Sequence, residues 1–266
     1  MTESLSTQSL RSAFVFPFQS KDWISRFVIG VALIFAGMVI PILPVIFVYG
    51  YMIEVMRLSI QGEALVLPAW TNWGKLFKDG LRSLAVALVF LGPAIIVGII
   101  GFGAYIAMIA GSVALSPEPS SSSGALAFFL MMGGMGTLFL SMFVGWFLLI
   151  AGSIPLPAAI AHFAARDKLG AAFHIREWGA IIRADKWGYF IAWVVALGLI
   201  GLIYVGFMLV YFTFIFCFLG YFLAFPIAYY MMLVTTAIFG QFYREGAGQV
   251  SAKPVEPAPA PAAQGA

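Results

Sequence analysis

The sequence predicts an all-α fold, a polytopic transmembrane helical bundle of about six spans, with five as the alternative. Three observations predict it. First, hydrophobic residues make up 62% of the chain, charged residues only 9%, and the mean hydropathy is +1.02. Soluble domains carry roughly 25% charged residues, and a chain this apolar lacks the polar groups to cover its own surface in water. Second, the stretches 27–53, 83–117, 119–165 and 187–243 contain no Asp, Glu, Lys or Arg. Each exceeds the roughly 20 residues needed to cross a bilayer core. Third, the basic residues are confined to the segments between and beside those stretches.

The segment before the first stretch is polar, and no cleaved secretory signal is expected from it. Residues 1–13 read as a polar N-terminal tail. The transmembrane domain then extends over 14–245, and residues 246–266, rich in Ala and Pro, read as a disordered cytoplasmic tail.

The first apolar stretch is one long kinked helix or a tight hairpin turning at Pro41-Ile42-Leu43-Pro44. With the hairpin and a cytoplasmic N-terminus, every Lys and Arg of the chain falls inside: Arg11, Lys21 and Arg26, then Arg57, Lys75, Lys78 and Arg82, then Arg166, Lys168, Arg176, Arg183 and Lys186, then Arg244 and Lys253. Only Glu118 is left outside. A single first span would put three positive charges outside, against the positive-inside tendency. The hairpin legs, 23–40 and 43–60, are about 27 Å long at 1.5 Å per residue, slightly short, and snorkelling by Lys21, Arg26 and Arg57 compensates. The second and third stretches are one span each, with a polar loop at 116–124 between them. The fourth holds two spans with a turn near Cys217 to Phe222. These assignments place the protein in the prokaryotic cytoplasmic membrane with both termini in the cytoplasm.

Three segments share one plan: a cytoplasmic approach with aromatics and mixed charge, a span, a Pro-bearing outer region and a return span ending in Arg and Gly. The approaches are 14–27, 67–82 and 171–190, and the returns are 44–62, 155–170 and 226–246. The plan predicts three two-span repeats in one orientation. In the second approach Leu67, Trp70, Trp73, Leu76, Phe77 and Leu81 face the acyl boundary while Lys75, Lys78 and Arg82 reach headgroups, as in a short interfacial helix. In the third, Ile175, Trp178, Ile181, Ile182 and Trp187 with Arg176, Arg183 and Lys186 repeat the theme. The two readings are an ordinary aromatic belt with basic anchors and a collar that contacts lipid headgroups or a partner.

The run FVFPF, KDW, GYM, R, G, LPAW, F and KDGL over residues 14–81 resembles the opening of the DUF4013 family of prokaryotic multispanning membrane proteins. HFAARDKLGAAF at 162–173 is similar to that family's middle cytoplasmic segment. The resemblance covers most of residues 14–245. It implies a multispanning membrane protein of unknown function and supplies no catalytic residue.

Residues that carry chemistry are sparse. Glu54 and Arg57 stand at i and i+3, where they can pair on one helix face, as an interfacial ion pair or, alternatively, a gate. His162 and His174 flank the second cytoplasmic loop without an acid arranged as a third ligand, so metal binding or acid–base work finds no convergent set. Cys217 is single, with no CxxC motif. Ser141 and Ser153 lack a nucleophile elbow, and no Walker loop or dinucleotide fingerprint occurs. Pro41, Pro44, Pro155, Pro157 and Pro226 are candidate helix breaks, which shape a bundle or line a cavity. Gly103, Ala107 and Gly111 form a close-packing stripe. No cofactor or metal is expected. The expected partners are membrane lipid, other membrane proteins or a second copy. The scattered basic residues do not form a nucleic-acid stripe. The reading is a non-enzymatic membrane protein that organises lipid or partners. A transporter or channel for a neutral or amphipathic solute is the alternative, and an intramembrane enzyme ranks last.

Overall fold

The computed structural model describes residues 7–115, 121–212 and 217–252. Those residues form nine α-helices, two 3-10 turns and connecting coil, with no strand among them. The helices are α1 (Thr7–Val15), α2 (Trp23–Ala36), α3 (Leu43–Gln61), α4 (Trp73–Leu115), α5 (Ser121–Ser153), α6 (Leu156–Arg166), α7 (Ile175–Ala184), α8 (Lys186–Phe212) and α9 (Cys217–Ala252). Among the described residues five apolar segments are long enough to cross a membrane: Leu43–Gln61, Trp73–Ala114, Ser123–Arg166, Lys186–Met208 and Phe222–Ser251. The protein is therefore an all-α, multi-pass membrane protein. The sixth apolar helix, α2, has 14 residues, about 21 Å at 1.5 Å per residue. That is short of the roughly 30 Å hydrocarbon core, so the count of six is approximate.

The first apolar stretch is two helices rather than one kinked helix. Pro41 lies in the break, Pro44 sits in the first turn of α3, and Ile42 takes a left-handed φ of 75° to turn the chain. Proline is accepted at a helix start because the amide it lacks has no partner there. Several boundaries differ from the sequence expectation. The approach 67–82 is not a separate interfacial helix: it is coil to Asn72, and its remainder forms the first turns of α4. Ser121 to Gly124, expected in the polar loop, begin α5, while residues 116–120 with Glu118 lie outside the described residues. The return at Pro155 starts a new helix, α6, with Pro157 in its first turn. Cys217 to Phe222, expected as a turn, open α9, and the helix continues through Pro226 without ending. Residues 7–13, read as part of the tail, are helical, and α9 extends past Gly246 to Ala252. Residues 253–266 of the expected disordered tail lie outside the described residues.

The chain divides into two compact units, residues 1–80 with 158–266, and residues 81–157. In the first unit α9 packs on α3, α8, α7, α1 and α2. Tyr51 and Ile53 of α3 and Tyr229, Leu233, Ile238 and Phe242 of α9 are buried, with Tyr51 against Tyr229 and Phe242 against Tyr189 of α8. Gly30 of α2 leaves the space that the Tyr229 ring fills, and a Cβ there would overlap the ring. At the other end of this interface the Ser59 hydroxyl donates to the Ala237 carbonyl at 2.8 Å, and Gly240 lets α9 approach Met56 and Ser59. α1 is tied down by Tyr230 donating to the Phe14 carbonyl and Gln241 donating to Ser12.

The second unit is built on α4 and α5. Small residues let their backbones meet, as expected where packing rather than water drives helix association. Gly145 approaches the Ala94 carbonyl, Gly134 approaches Tyr105 and Met108, and Gly101 lies against Ser141. Of the predicted stripe, Gly111 touches Leu130, while a Cβ on Gly103 would enter open space. The tighter approach to α5 is at Gly101, two positions before Gly103, where a Cβ would overlap the Ser141 side chain.

Candidate functional site: a polar cluster and a basic rim

The polar side chains of the first unit gather where α3 and α6 end and α7 begins. The contact between α3 and α4 starts this arrangement. A Cβ on Gly50 would fall on the Leu76 backbone, and one on Gly80 would fall on the Ile46 carbonyl. Only glycine allows two helix backbones to touch there. The contact brings Asp79, 2% exposed, to Arg57. The Arg57 Nη1 donates to Asp79 Oδ2 at 2.6 Å and Nη2 donates to Asp167 Oδ1 at 2.8 Å. Its Nε faces the Ala164 carbonyl at 3.4 Å. Glu54 lies farther from Arg57, at 3.6 Å, and also meets Lys75 at 3.3 Å. The Glu54–Arg57 pair is thus one edge of a larger network, and the short contacts of Arg57 go to Asp79 and Asp167. Asp167 reaches Arg57 by adopting a φ of 51° just past α6, with its amide donating to the Phe163 carbonyl. Asp tolerates this left-handed helix cap better than most side chains do.

Beside this cluster the Leu67–Trp70 coil is held by side chains at each step. Arg26 donates to the Leu67 carbonyl, Tyr51 donates to the Pro68 carbonyl at 2.9 Å, and the Trp70 indole donates to the Arg26 carbonyl at 2.8 Å. Trp70 stacks on Tyr51 with centroids 4.0 Å apart. Irregular backbone within an apolar bundle requires such satisfaction of its carbonyls. Leu67, Trp70 and Leu76 are therefore buried in protein rather than turned to acyl chains. Trp73 packs on Phe47.

A second cluster joins α6, α7 and α9. His162, 2% exposed, meets the Tyr243 hydroxyl through Nδ1 at 2.6 Å and Glu177 Oε2 through Nε2 at 3.0 Å. Glu177 also meets Arg166 at 3.4 Å and His174 Nδ1 at 3.2 Å. Partial desolvation pushes the Glu177 carboxyl up, but the hydrogen bond from His162 and the charges of His162, Arg166 and His174 outweigh it and hold the carboxyl below its ordinary value. Glu177, three residues after His174, meets both histidines. Among the described residues no group of three His, Cys, Asp or Glu is placed to share a metal ion.

The residues predicted for the third approach divide between two faces of α7. Trp178 and Ile181 are buried. The Trp178 indole donates to the Ala172 carbonyl at 3.1 Å, and Ile181 lies against Gly246 of α9. Arg176, Arg183, Lys186 and Trp187 are exposed, as are Ile175 and Phe190. Asp185 turns back to cap α8, its Oδ1 accepting from the Gly188 amide at 2.8 Å. Asp167 and Glu177 are paired with cations, and Asp185 accepts from the Gly188 amide through one of its two oxygens. Lys168, Arg176, Arg183 and Lys186 have no carboxylate within 4.0 Å among the described residues. The outcome is a rim of exposed basic and aromatic side chains whose neighbouring acids are taken up by other partners. In the second approach Lys75 pairs with Glu54, while Lys78 is exposed and Arg82 falls in the second unit. Residues 32–212 match the model of a family described as "Protein of unknown function (DUF4013)". No curated protein and no solved structure matches the chain.

Proposed function

The chain belongs to the DUF4013 family, and from that premise we propose that this integral membrane protein organises anionic lipid through the basic rim of α7 and the start of α8. The observation that carries the reading is the segregation of charge there. Asp167, Glu177 and Asp185 are engaged by Arg57, by His162 with Arg166 and His174, and by the Gly188 amide. Arg176, Arg183 and Lys186 are left to face outward beside Ile175, Trp187 and Phe190. An amphipathic helix with basic and aromatic edges suits a headgroup layer. Each basic residue near an anionic surface contributes about 1 kcal/mol. The same rim supports an orientation with α7 at the cytoplasmic face of an inner membrane, where anionic lipid and positive-inside loops coincide.

The test is native mass spectrometry from nanodiscs containing both anionic and zwitterionic phospholipid. The wild-type protein is expected to retain anionic lipid preferentially, and the variant Arg176→Gln/Arg183→Gln/Lys186→Gln is expected to lose that preference. Equal retention by the two proteins refutes the reading, and retention of a polypeptide instead moves it to a partner-organising role.

Transport of an apolar or amphipathic solute is the second reading. It draws on a hollow of about 250 Å³ between α8 and α9, lined by Leu202, Gly206, Phe207, Leu223, Ile227 and Met231. Uptake of such a solute into sealed vesicles would favour it. An enzymatic role ranks last, because both ring nitrogens of His162 are already engaged and acid–base chemistry needs a group within reach of a substrate.

A further inference from the structure

The basic rim is carried by a helix whose attachment includes titratable groups. α7 is held to its neighbours by the Trp178–Ala172 hydrogen bond, by Ile181 against Gly246, and by Glu177. The last tie is a chain across three helices: Tyr243 of α9, His162 of α6 and Glu177 of α7. Glu177 as a carboxylate only accepts, so His162 Nε2 carries a hydrogen. Nδ1 of the neutral ring then accepts from the Tyr243 hydroxyl. This tautomer follows from the network.

We propose that this chain is a proton-operated latch, holding α7 and its basic rim against α6 and α9 while His162 is neutral and Glu177 ionised, and loosening when either takes up a proton. The inference rests on the lipid reading for its consequence at the rim, and on the hydrogen-bond chain alone for the latch itself.

The direction follows from what each proton removes. A proton on Nδ1 reverses its bond with Tyr243, so that Nδ1–H donates to the phenol oxygen and the buried hydroxyl hydrogen loses its acceptor, and it places a charge on a ring 2% exposed. The compensating attraction is to Glu177, whose side chain is 47% exposed, so water screens it, whereas the desolvation of the ring is not relieved. A proton on Glu177 weakens its hold on His162 and Arg166 and its contact with His174. The charged and titratable groups facing the chain are Tyr243 on α9, Arg166 on α6, and Glu177 with His174 at the start of α7. Arg57 of α3 is turned to Asp79 and Asp167. Histidine is the side chain whose ordinary charge change falls between pH 5 and 8, so the latch responds in a range that cells visit.

The experiment is hydrogen exchange of the α7 amides, 175–184, in nanodiscs of mixed anionic and zwitterionic lipid at pH 8 and pH 5, corrected for intrinsic rates. The α9 amides serve as a check on the fold. Wild-type α7 is expected to exchange faster at pH 5 than at pH 8, with α9 unchanged. His162→Gln cannot titrate and is expected to show no pH response. Glu177→Gln, a half-exposed change that leaves the core intact, is expected to be loosened already at pH 8. His174→Gln is expected to respond as wild type. Equal α7 exchange at both pH values in the wild type, or a wild-type response in His162→Gln, overturns the latch. The two claims separate through anionic-lipid retention at pH 8. If the triple rim variant retains lipid like the wild type, the lipid reading falls while the α7 response still decides the latch. If that variant loses lipid but wild-type α7 ignores pH, the latch alone falls.

Discussion

Replacing Arg57 by Met removes the charge that faces Asp79 while keeping much of the side-chain volume. The Asp79 side chain is 3% exposed and its oxygen lies 2.6 Å from the guanidinium. Breaking a buried pair by removing one partner costs about 3–5 kcal/mol, because the buried carboxylate loses the guanidinium that neutralises it at 2.6 Å. The other partners add little: Asp167 and Glu54 are 65% and 32% exposed, and exposed pairs contribute at most about 1 kcal/mol each. We therefore expect Arg57→Met to lose about 3 kcal/mol or more, on the order of a hundredfold in the folding equilibrium. Asp79→Asn removes the carboxylate's charge as well, so the Arg57→Met/Asp79→Asn protein is expected to be less destabilised than the sum of the single variants. Unfolding of all four proteins in mixed micelles, followed by circular dichroism, completes the cycle. A single variant within about 0.5 kcal/mol of wild type, the spread of ordinary surface substitutions, or strictly additive losses, would refute the assignment of Arg57 as the counter-charge of a buried acid.

Three further outcomes are expected. Gly50→Ala and Gly80→Ala press a methyl into the backbone across the α3–α4 contact and are expected to cost about 1–3 kcal/mol or more. Gly74→Ala, where a Cβ meets nothing within 4 Å, is expected to be neutral or stabilising; equal losses at all three positions would count against the close contact. Asp167→Ala is expected to be less stable than Asp167→Gly by about 1 kcal/mol in the same micelle assay, because alanine retains the left-handed strain that glycine lacks. The Glu177 carboxyl is held below its ordinary value, so its stabilising contribution is full above the unfolded carboxylate pKa. It is lost as pH falls through the lower folded value. Acid titration of the wild type, but not of Glu177→Gln, should show that component; identical acid limbs would remove it.

The class of fold was legible because hydropathy, chain length and basic clustering each report on one segment at a time. The α2–α3 hairpin followed from Pro41, Pro44 and the charge bookkeeping, and α7 followed from its alternation of Trp, Ile and Arg. The polar clusters were not legible, since they join residues far apart: Arg57 to Asp79 and Asp167, 22 and 110 positions away, and His162 to Tyr243, 81 positions away. Periodicity within one helix carries no signal of such pairs. Asp79 stands among Lys75, Lys78 and Arg82, and in sequence it reads as one more interfacial charge. Its neighbour Gly80, which lets α3 approach, was the available clue. Hydropathy also fails to tell lipid from protein as the neighbour of an apolar face. The span at Leu43–Gln61 is 56% buried and that at Ser123–Arg166 only 6%, although both qualify as membrane helices. Trp70 shows the same limit: its indole reads as a belt residue, but Tyr51 and Arg26 draw it inward.

The α3–α9 contact also sets a timetable for synthesis. The Ser59 hydroxyl and the Ala237 carbonyl it meets are separated by 178 positions. At about 5–20 residues per second a ribosome takes roughly 10–40 seconds to make that interval. For that time α3 has been made but lacks its main partner, with Gly240 and Tyr229 still to come. Lipid or an insertion factor must shelter its inner face meanwhile. A chain halted before α9 would present that face permanently, so the last long helix is the point at which quality control can distinguish a finished molecule from an abandoned one.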